Sequence, residues 1–359
     1  MFPIIRNISD VLPLIEGRKE FIVVVKPEGY TYIDYVYIDN DSFDDPIRLE
    51  CRGLIFDNET GVILRRPLEK FFNYGEKGTY DTLDWTEDHF VMDKRDGSMI
   101  APFVLKGELF LGTRAGITEH SQKAESLVDW PTRNEMLVAC QNGWTPIFEW
   151  TAPENRIVLA YDKSELRLLA VRNIVTGDYV SVEALEDWSK VFNIPLVDFI
   201  DGKLDKDSIF AYRETATNTE GYVAFFPKSG LHIKIKTDDY TKMHRAVSFL
   251  DRENMILPVV LDNLYDDILP ALSEENQNKV KEYAALVNKS IDNTIKDLQH
   301  SLNNVKMFPT RKDQALWIQK NVDKPFWPVM FHGLDDKDIR ESLKSVFLKD
   351  PALLGVRWN

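Results

Sequence analysis

The sequence predicts an α+β protein: a sheet-rich body over residues 1–244, followed by an all-helical domain over residues 245–359. Three observations point there. Short segments rich in β-branched and aromatic residues recur through the first part, separated by turn residues. Ala246 to Leu302 holds no glycine and only two prolines, Pro258 and Pro270. The 359 residues are 44% apolar and include eight Trp, thirteen Tyr and twenty Phe, enough for two cores.

Taken in order, Phe21–Val25, Tyr32–Ile38 and Leu54–Phe56 read as strands. Asn58-Glu59-Thr60-Gly61 turns the chain into Val62–Leu64. Lys106-Gly107-Glu108 joins Pro102–Leu105 to Leu109–Gly112 as a second hairpin. Apolar spacing predicts one helix from about Ser121 to Cys140. Strands resume at Ile147–Trp150, Arg167–Val171, Gly221–Phe226 and His232–Ile235. Beyond 244, Pro258 and Pro270 are each expected to break a helix. Glu274–Leu302, Arg311–Gln319 and Asp336–Leu348 read as helices.

The residues after Met1 are interrupted by Arg6, Asp10 and Glu16 and do not read as a signal peptide. No apolar run is long enough to span a bilayer, which takes about 18 or more residues. Two cysteines, Cys51 and Cys140, cannot build a disulfide framework, so a reducing cytoplasm is expected. The net charge of −14 argues against a protein that coats nucleic acid through a broad basic field. Residues 245–359 carry 16 basic against 17 acidic side chains, leaving 28 against 41 in the body. An acidic body with a few focused cations suits an enzyme that binds nucleotide and metal.

The sharpest local pattern is Lys94-Arg95-Asp96-Gly97-Ser98, entered from Phe90–Met92 and left through Met99–Pro102. By itself it also describes a surface lysine before an Asp-Gly turn. Further stretches accompany it. They are Glu50-Cys51-Arg52-Gly53, Arg66–Asn73, the run from Phe148 to Tyr161 that begins Phe-Glu-Trp-Thr-Ala-Pro, Glu220–Ala224, and Lys234-Ile235-Lys236. Over roughly residues 30–245 this set resembles the ATP-dependent RNA ligases of T-even bacteriophages, the RNA ligase 1 family within the covalent nucleotidyltransferases.

The resemblance implies a nucleotidyltransferase fold of antiparallel sheets around an ATP pocket, with Lys94 as the nucleophile that carries AMP. A free lysine is protonated at neutral pH, so burial and neighbouring cations are expected to lower its pKa. Lys234 and Lys236, two apart on a strand, leave the same face and can meet the α-phosphate. Arg52 and Lys70 match cationic positions of the ATP site. Tyr35 matches a nucleotide-contacting tyrosine and reads equally as a core aromatic; Phe72 reads as packing. Glu149 suits the ribose hydroxyls. Glu220, with Mg²⁺ or Mn²⁺ as cofactor, is the expected metal ligand. Asp266-Asp267 resembles a divalent-ion pair and also fits a solvated helix face.

Arg114 stands where the family has a lysine. Arg156 and Arg172 are candidates for RNA phosphates, and Tyr240 matches a tyrosine needed for ligation. A structural role fits each as well. Lys306, Arg311, Lys312 and Lys320 form a locally basic stretch near Phe308 and Trp317, suited to RNA or simply to water. The six histidines show no metal-ligand spacing.

The expected reaction joins RNA 5′-phosphate and 3′-hydroxyl ends through lysyl-AMP and RNA-adenylate. Its partner would be RNA, single-stranded ends or broken tRNA, and its setting RNA repair by a monomer in a cytoplasm, the host's if a phage encodes it. The alternatives are a GTP-dependent capping guanylyltransferase, a DNA ligase, and a non-catalytic RNA-binding module. No OB-fold strand pattern follows Lys236, which disfavours a DNA ligase.

Overall fold

The computed structural model describes residues 2–76, 83–200, 204–250 and 252–358; the side chains of Lys206, Phe249, Asp267 and Ala271 lie outside the description. The chain divides into two compact units, Met1–Thr241 and Lys242–Asn359.

The first unit holds the strands. In chain order they are β1 (Phe21–Val25), β2 (Tyr30–Tyr35), β3 (Leu54–Asp57), β4 (Ile63–Arg65), β5 (Phe72–Asn73), β6 (Phe90–Asp93), β7 (Ser98–Leu105), β8 (Glu108–Gly112), β9 (Trp144–Thr151), β10 (Glu165–Asn173), β11 (Phe199–Ile200), β12 (Gly221–Phe226) and β13 (Leu231–Lys236). They form three sheets ordered β1-β2-β3-β4, β10-β9-β7-β8 and β11-β6-β12-β13-β5. Every pairing is antiparallel except β13 with β5. Consecutive strands β6 and β7 belong to different sheets, so residues 94–97 cross from one sheet to the next.

Alternation of apolar residues supplies the cores. Ile33, Leu54, Phe56, Phe226 and Ile233 meet in one cluster; Ile100, Phe148, Trp150, Leu168 and Phe192 meet in another. Each of these ten is nearly or fully buried.

Several boundaries differ from the sequence-based expectation. β2 ends at Tyr35, and Val36, Tyr37 and Ile38 are exposed. The single helix expected over 121–140 is two, Glu119–Glu125 and Trp130–Gln141. Asp129 caps the second by accepting from the Thr132 N–H, and Pro131 follows in its first turn, where a missing N–H costs nothing. This unit also holds the short helices Leu12–Ile15 and Pro46–Glu50 and the longer Val182–Phe192 and Lys206–Thr215.

The second unit is helical, and among the described residues no strand follows Lys236. Its longest helix, Glu274–Val305, is capped by Ser273 and buries Val280, Val287, Ile291 and Leu298. Pro258 does not break its helix; it lies inside Glu253–Leu261. Ile256, Leu257, Val260 and Leu261 are buried around it. Each such burial gives about 1.5–3 kcal/mol, enough together to offset the roughly 3 kcal/mol an internal proline costs. Among the described residues no helix is long and apolar enough to cross a membrane. Both cysteines are free.

Candidate active site

The crossing 94–97 is held from several sides. The Lys94 N–H donates to the Gly221 carbonyl (2.8 Å). The buried Asp96 carboxylate accepts from the Val158 N–H (2.8 Å), the Leu159 N–H (2.7 Å) and the Tyr240 hydroxyl (2.7 Å). The Tyr161 hydroxyl accepts from the Asp96 N–H (3.0 Å). Gly97 lies so close to β9 that a Cβ there would overlap the Trp150 carbonyl oxygen. The aspartate and glycine of the motif are therefore fixed by packing: one anchors the loop, the other admits it.

Around the loop lies a cavity of about 470 Å³, of a size that takes small-molecule ligands. The loop supplies Lys94, Arg95 and Gly97, and the flanking strands Asp93, Ser98 and Met99; Glu149 comes from β9 and Lys234 from β13. Leu68, Leu169 and Val223 give it an apolar part, while Arg52, Arg114 and Asp34 give it a charged wall. Five cations thus face three acids, in a chain whose net charge is −14. The cations are local where the whole is acidic.

Lys94 is mostly buried, and its Nζ pairs with Glu220 Oε1 at 2.7 Å. Lys236 reaches the same oxygen at 2.9 Å. The nearest charged partner of Lys94 is thus a carboxylate, and not the ring of cations expected from sequence. That ring surrounds Lys234, whose amine lies 4.4 Å from the Phe71 ring centroid. Burial first, then Arg52, Lys70, Lys94 and Lys236, push its pKa down to about 6.

Glu149 is pushed the other way. Burial, opposed by Lys94, raises its pKa to about 7. Arg52 donates weakly to the Leu68 carbonyl and Met99 Sδ, both at 3.4 Å. Arg114 is forked onto Asp34 (2.6–3.2 Å), donates to the Tyr35 carbonyl (3.2 Å) and stacks 4.4 Å over the Tyr35 ring. Lys70 is buried facing the rings of Phe72, Tyr35 and Phe43 at 4.6–5.9 Å, and it lines a neighbouring cavity of about 560 Å³.

Lys94, Arg52, Arg114, Glu149 and Lys234 therefore share one cavity wall, with Glu220 tied to Lys94 and Lys236 tied to Glu220. Other candidates go elsewhere. Arg172 is 0% exposed, forked onto Glu50 at 2.7 and 2.8 Å, and gives its remaining donors to the Pro67 and Gly177 carbonyls. It is structural and does not meet RNA. Tyr240 is 2% exposed and spends its hydroxyl on Asp96, so it secures the loop from behind. Arg156 is exposed and bonds the Val158 carbonyl within the segment that caps Asp96.

Asp266 is exposed on the short helix Tyr265–Ile268, and the side chain of Asp267 lies outside the described residues. Among the described residues no cluster of three or more metal-ligating side chains occurs. Lys306 and Arg311 of the basic stretch pair with Asp336 and Asp335. Asp34 and Asp93 of the cavity were not singled out from sequence. An acid in an acidic chain carries no signal of its own, and only the pairing with Arg114 reveals Asp34.

Comparison with known proteins identifies the family. The RNA ligase family profile matches residues 50–240, from the Arg52 segment through Tyr240. An RNA ligase-like protein of Thermovibrio ammonificans is 31% identical over 294 residues, which cover 77% of this chain and 75% of that one. RNA ligase 1 of bacteriophage TS2126 is 27% identical, covering 74% and 69%. An archaeal ATP-dependent RNA ligase structure superposes with a TM-score of 0.50 at 17% identity, covering 67% of this chain and 64% of that one, and shares the fold. With more than half its length matched by the profile, the chain belongs to the RNA ligase family.

Proposed function

We propose that this enzyme is an ATP-dependent RNA ligase whose Lys94 carries the adenylate. The observation that supports this most is the placement of the Lys94 amine in a cavity that also holds Arg52, Arg114, Glu149 and Lys234. The apolar part formed by Leu68, Leu169 and Val223 suits a purine. The Glu149 carboxylate, which makes no hydrogen bond among the described residues, suits the ribose hydroxyls. Arg52, Arg114 and Lys234 suit the phosphates.

In the first step the neutral Lys94 Nζ attacks the α-phosphorus and gives up a proton to solvent as the phosphoramidate forms. A P–N bond forms, the bond to the β-phosphate oxygen breaks, and pyrophosphate leaves. An RNA 5′-phosphate oxygen then displaces lysine from AMP, and a 3′-hydroxyl displaces AMP to close the phosphodiester. The chain's own contribution is placement and charge neutralisation. Lys94 is steadied by Glu220, the loop by Asp96 and Tyr240, and the departing charge meets Arg52 and Lys234.

Both lysines meet Oε1 of Glu220, and Oε2 makes no hydrogen bond among the described residues. One carboxylate oxygen beside a polyphosphate pocket fits a divalent ion that keeps most of its waters; magnesium is the expected ion, with manganese the alternative. Bound there, it would supply Lewis-acid neutralisation of phosphate charge. Single-stranded RNA ends, including those of broken tRNA, are the proposed substrates, in RNA repair by a cytoplasmic monomer.

Incubation with ATP labelled at the α-phosphate should leave AMP on the denatured protein, and Lys94→Ala should remove the label while the protein stays folded. Label that persists in Lys94→Ala refutes the mechanism. Labelling by GTP in preference to ATP would point instead to capping chemistry.

A further inference from the structure

Arg65 lies at the end of β4, is 0% exposed and has no carboxylate within ion-pairing distance among the described residues. Burial lowers its pKa to about 10, which still leaves it charged at neutral pH. A buried cation without an acid is costly unless its donors are satisfied, and here four of the five are aimed at backbone carbonyls. Nε and Nη2 donate to Gly53 (3.2 and 2.9 Å), Nη2 also to Thr113 (2.8 Å), and Nη1 to Ala101 (3.2 Å).

The identity of those carbonyls matters. Gly53 follows Arg52 and Thr113 precedes Arg114, while Ala101 lies on β7, two residues past the cavity residue Met99. Gly53 has φ +87°, and a Cβ there would be 3.0 Å from the Arg114 backbone, so the two arginine-bearing segments abut. Gly112 leaves the room Arg65 occupies, since its Cβ would fall 2.5 Å from Nη1. One rigid, planar, five-donor group therefore spans three separate segments that each carry part of the cavity wall. Lysine, with three donors on one atom, cannot span them.

We infer that Arg65 is a positioning residue that sets the spacing of Arg52 and Arg114 for the phosphates of the bound nucleotide. This rests on the reading of the cavity as the ATP site. The residue never touches the ligand, so its effect must pass through the two cavity arginines.

That requirement supplies the test. ATP affinity is measured by calorimetry in wild type, in Arg65→Lys, in the double variant R52A/R114A and in the triple combination, with thermal unfolding alongside. Misplacing cationic groups by about an ångström predicts an ATP affinity about tenfold to a hundredfold weaker in Arg65→Lys. In the R52A/R114A background the same change should cost less than about twofold, because the groups it positions are gone. Wild-type affinity in Arg65→Lys, or an undiminished loss in the R52A/R114A background, overturns the inference. Should Arg65→Lys fail to fold, Arg65→Gln, which keeps a planar donor group but reaches fewer of the carbonyls, enters the same four-way comparison. The labelling of wild-type protein by ATP is read separately, so failure of the ligase reading and failure of the Arg65 inference give different results.

Discussion

Glu149 and Lys234 face one cavity with ionisations shifted toward each other, a carboxylic acid raised to about 7 and an amine lowered to about 6. Each shift yields a measurable consequence. The Glu149 carboxylate accepts ribose hydroxyls more strongly when ionised, so its own contribution to ATP affinity, read as the wild-type advantage over Glu149→Gln, should shrink as pH drops below about 7. Glu149→Gln should bind more weakly and lose that dependence; a parallel pH profile in the variant would refute the assignment. Lys234 is mostly neutral at pH 7.5, and an incoming phosphate favours its protonated form. ATP binding at pH 7.5 should therefore take up protons, seen as a binding enthalpy that changes with the buffer's ionisation heat, and Lys234→Met should reduce the uptake. A buffer-independent heat would exclude it. Lys94, Glu149 and Lys234 were legible in the sequence because their neighbours in the chain carry the pattern. Asp34 and Arg65 were not, since the partner of the first lies 80 residues away and those of the second 12 to 48 away.

At the scale of elements, the loop between β6 and β7 is the part whose shape the chemistry needs. Its tolerance is set by Gly97 against the Trp150 carbonyl and by Asp96 with its four bonds. Gly97→Ala should push the loop off β9 and abolish self-adenylation, with a fall in melting temperature; a fully active Gly97→Ala would show that the close approach is dispensable. Tyr240→Phe removes one bond to a buried acid and should destabilise by about 1–3 kcal/mol, read by denaturant unfolding. Strand positions were readable from runs of β-branched and aromatic residues, as with β12 and β13. The helix break at 126–129 was missed because apolar spacing continues through it while Asp129 and Pro131 restart the backbone. Pro258 is the converse case: a local rule is overridden by the burial of Ile256, Leu257, Val260 and Leu261 beside it.

At the scale of the molecule, two units with separate cores share a chain of net charge −14. The division falls between Thr241 and Lys242, inside the helix Asp238–Leu250, where no turn residue marks it in the sequence. Outside the cavity acids outnumber cations, and those of the basic stretch include Lys306 and Arg311, already paired with acids. RNA affinity should therefore depend only gently on salt. The slope of log K against log salt should correspond to a few phosphates, in contrast to the roughly six to ten of strongly electrostatic binders. A steep slope would mean that a basic surface forms only on binding.

The amine proposed to attack rides on a stretch of backbone stitched between two sheets, and both sheets line its cavity. Cleft width and reactivity are then one variable. Whatever wedges those sheets apart withdraws the nucleophile from phosphorus without touching it, and whatever draws them together delivers it.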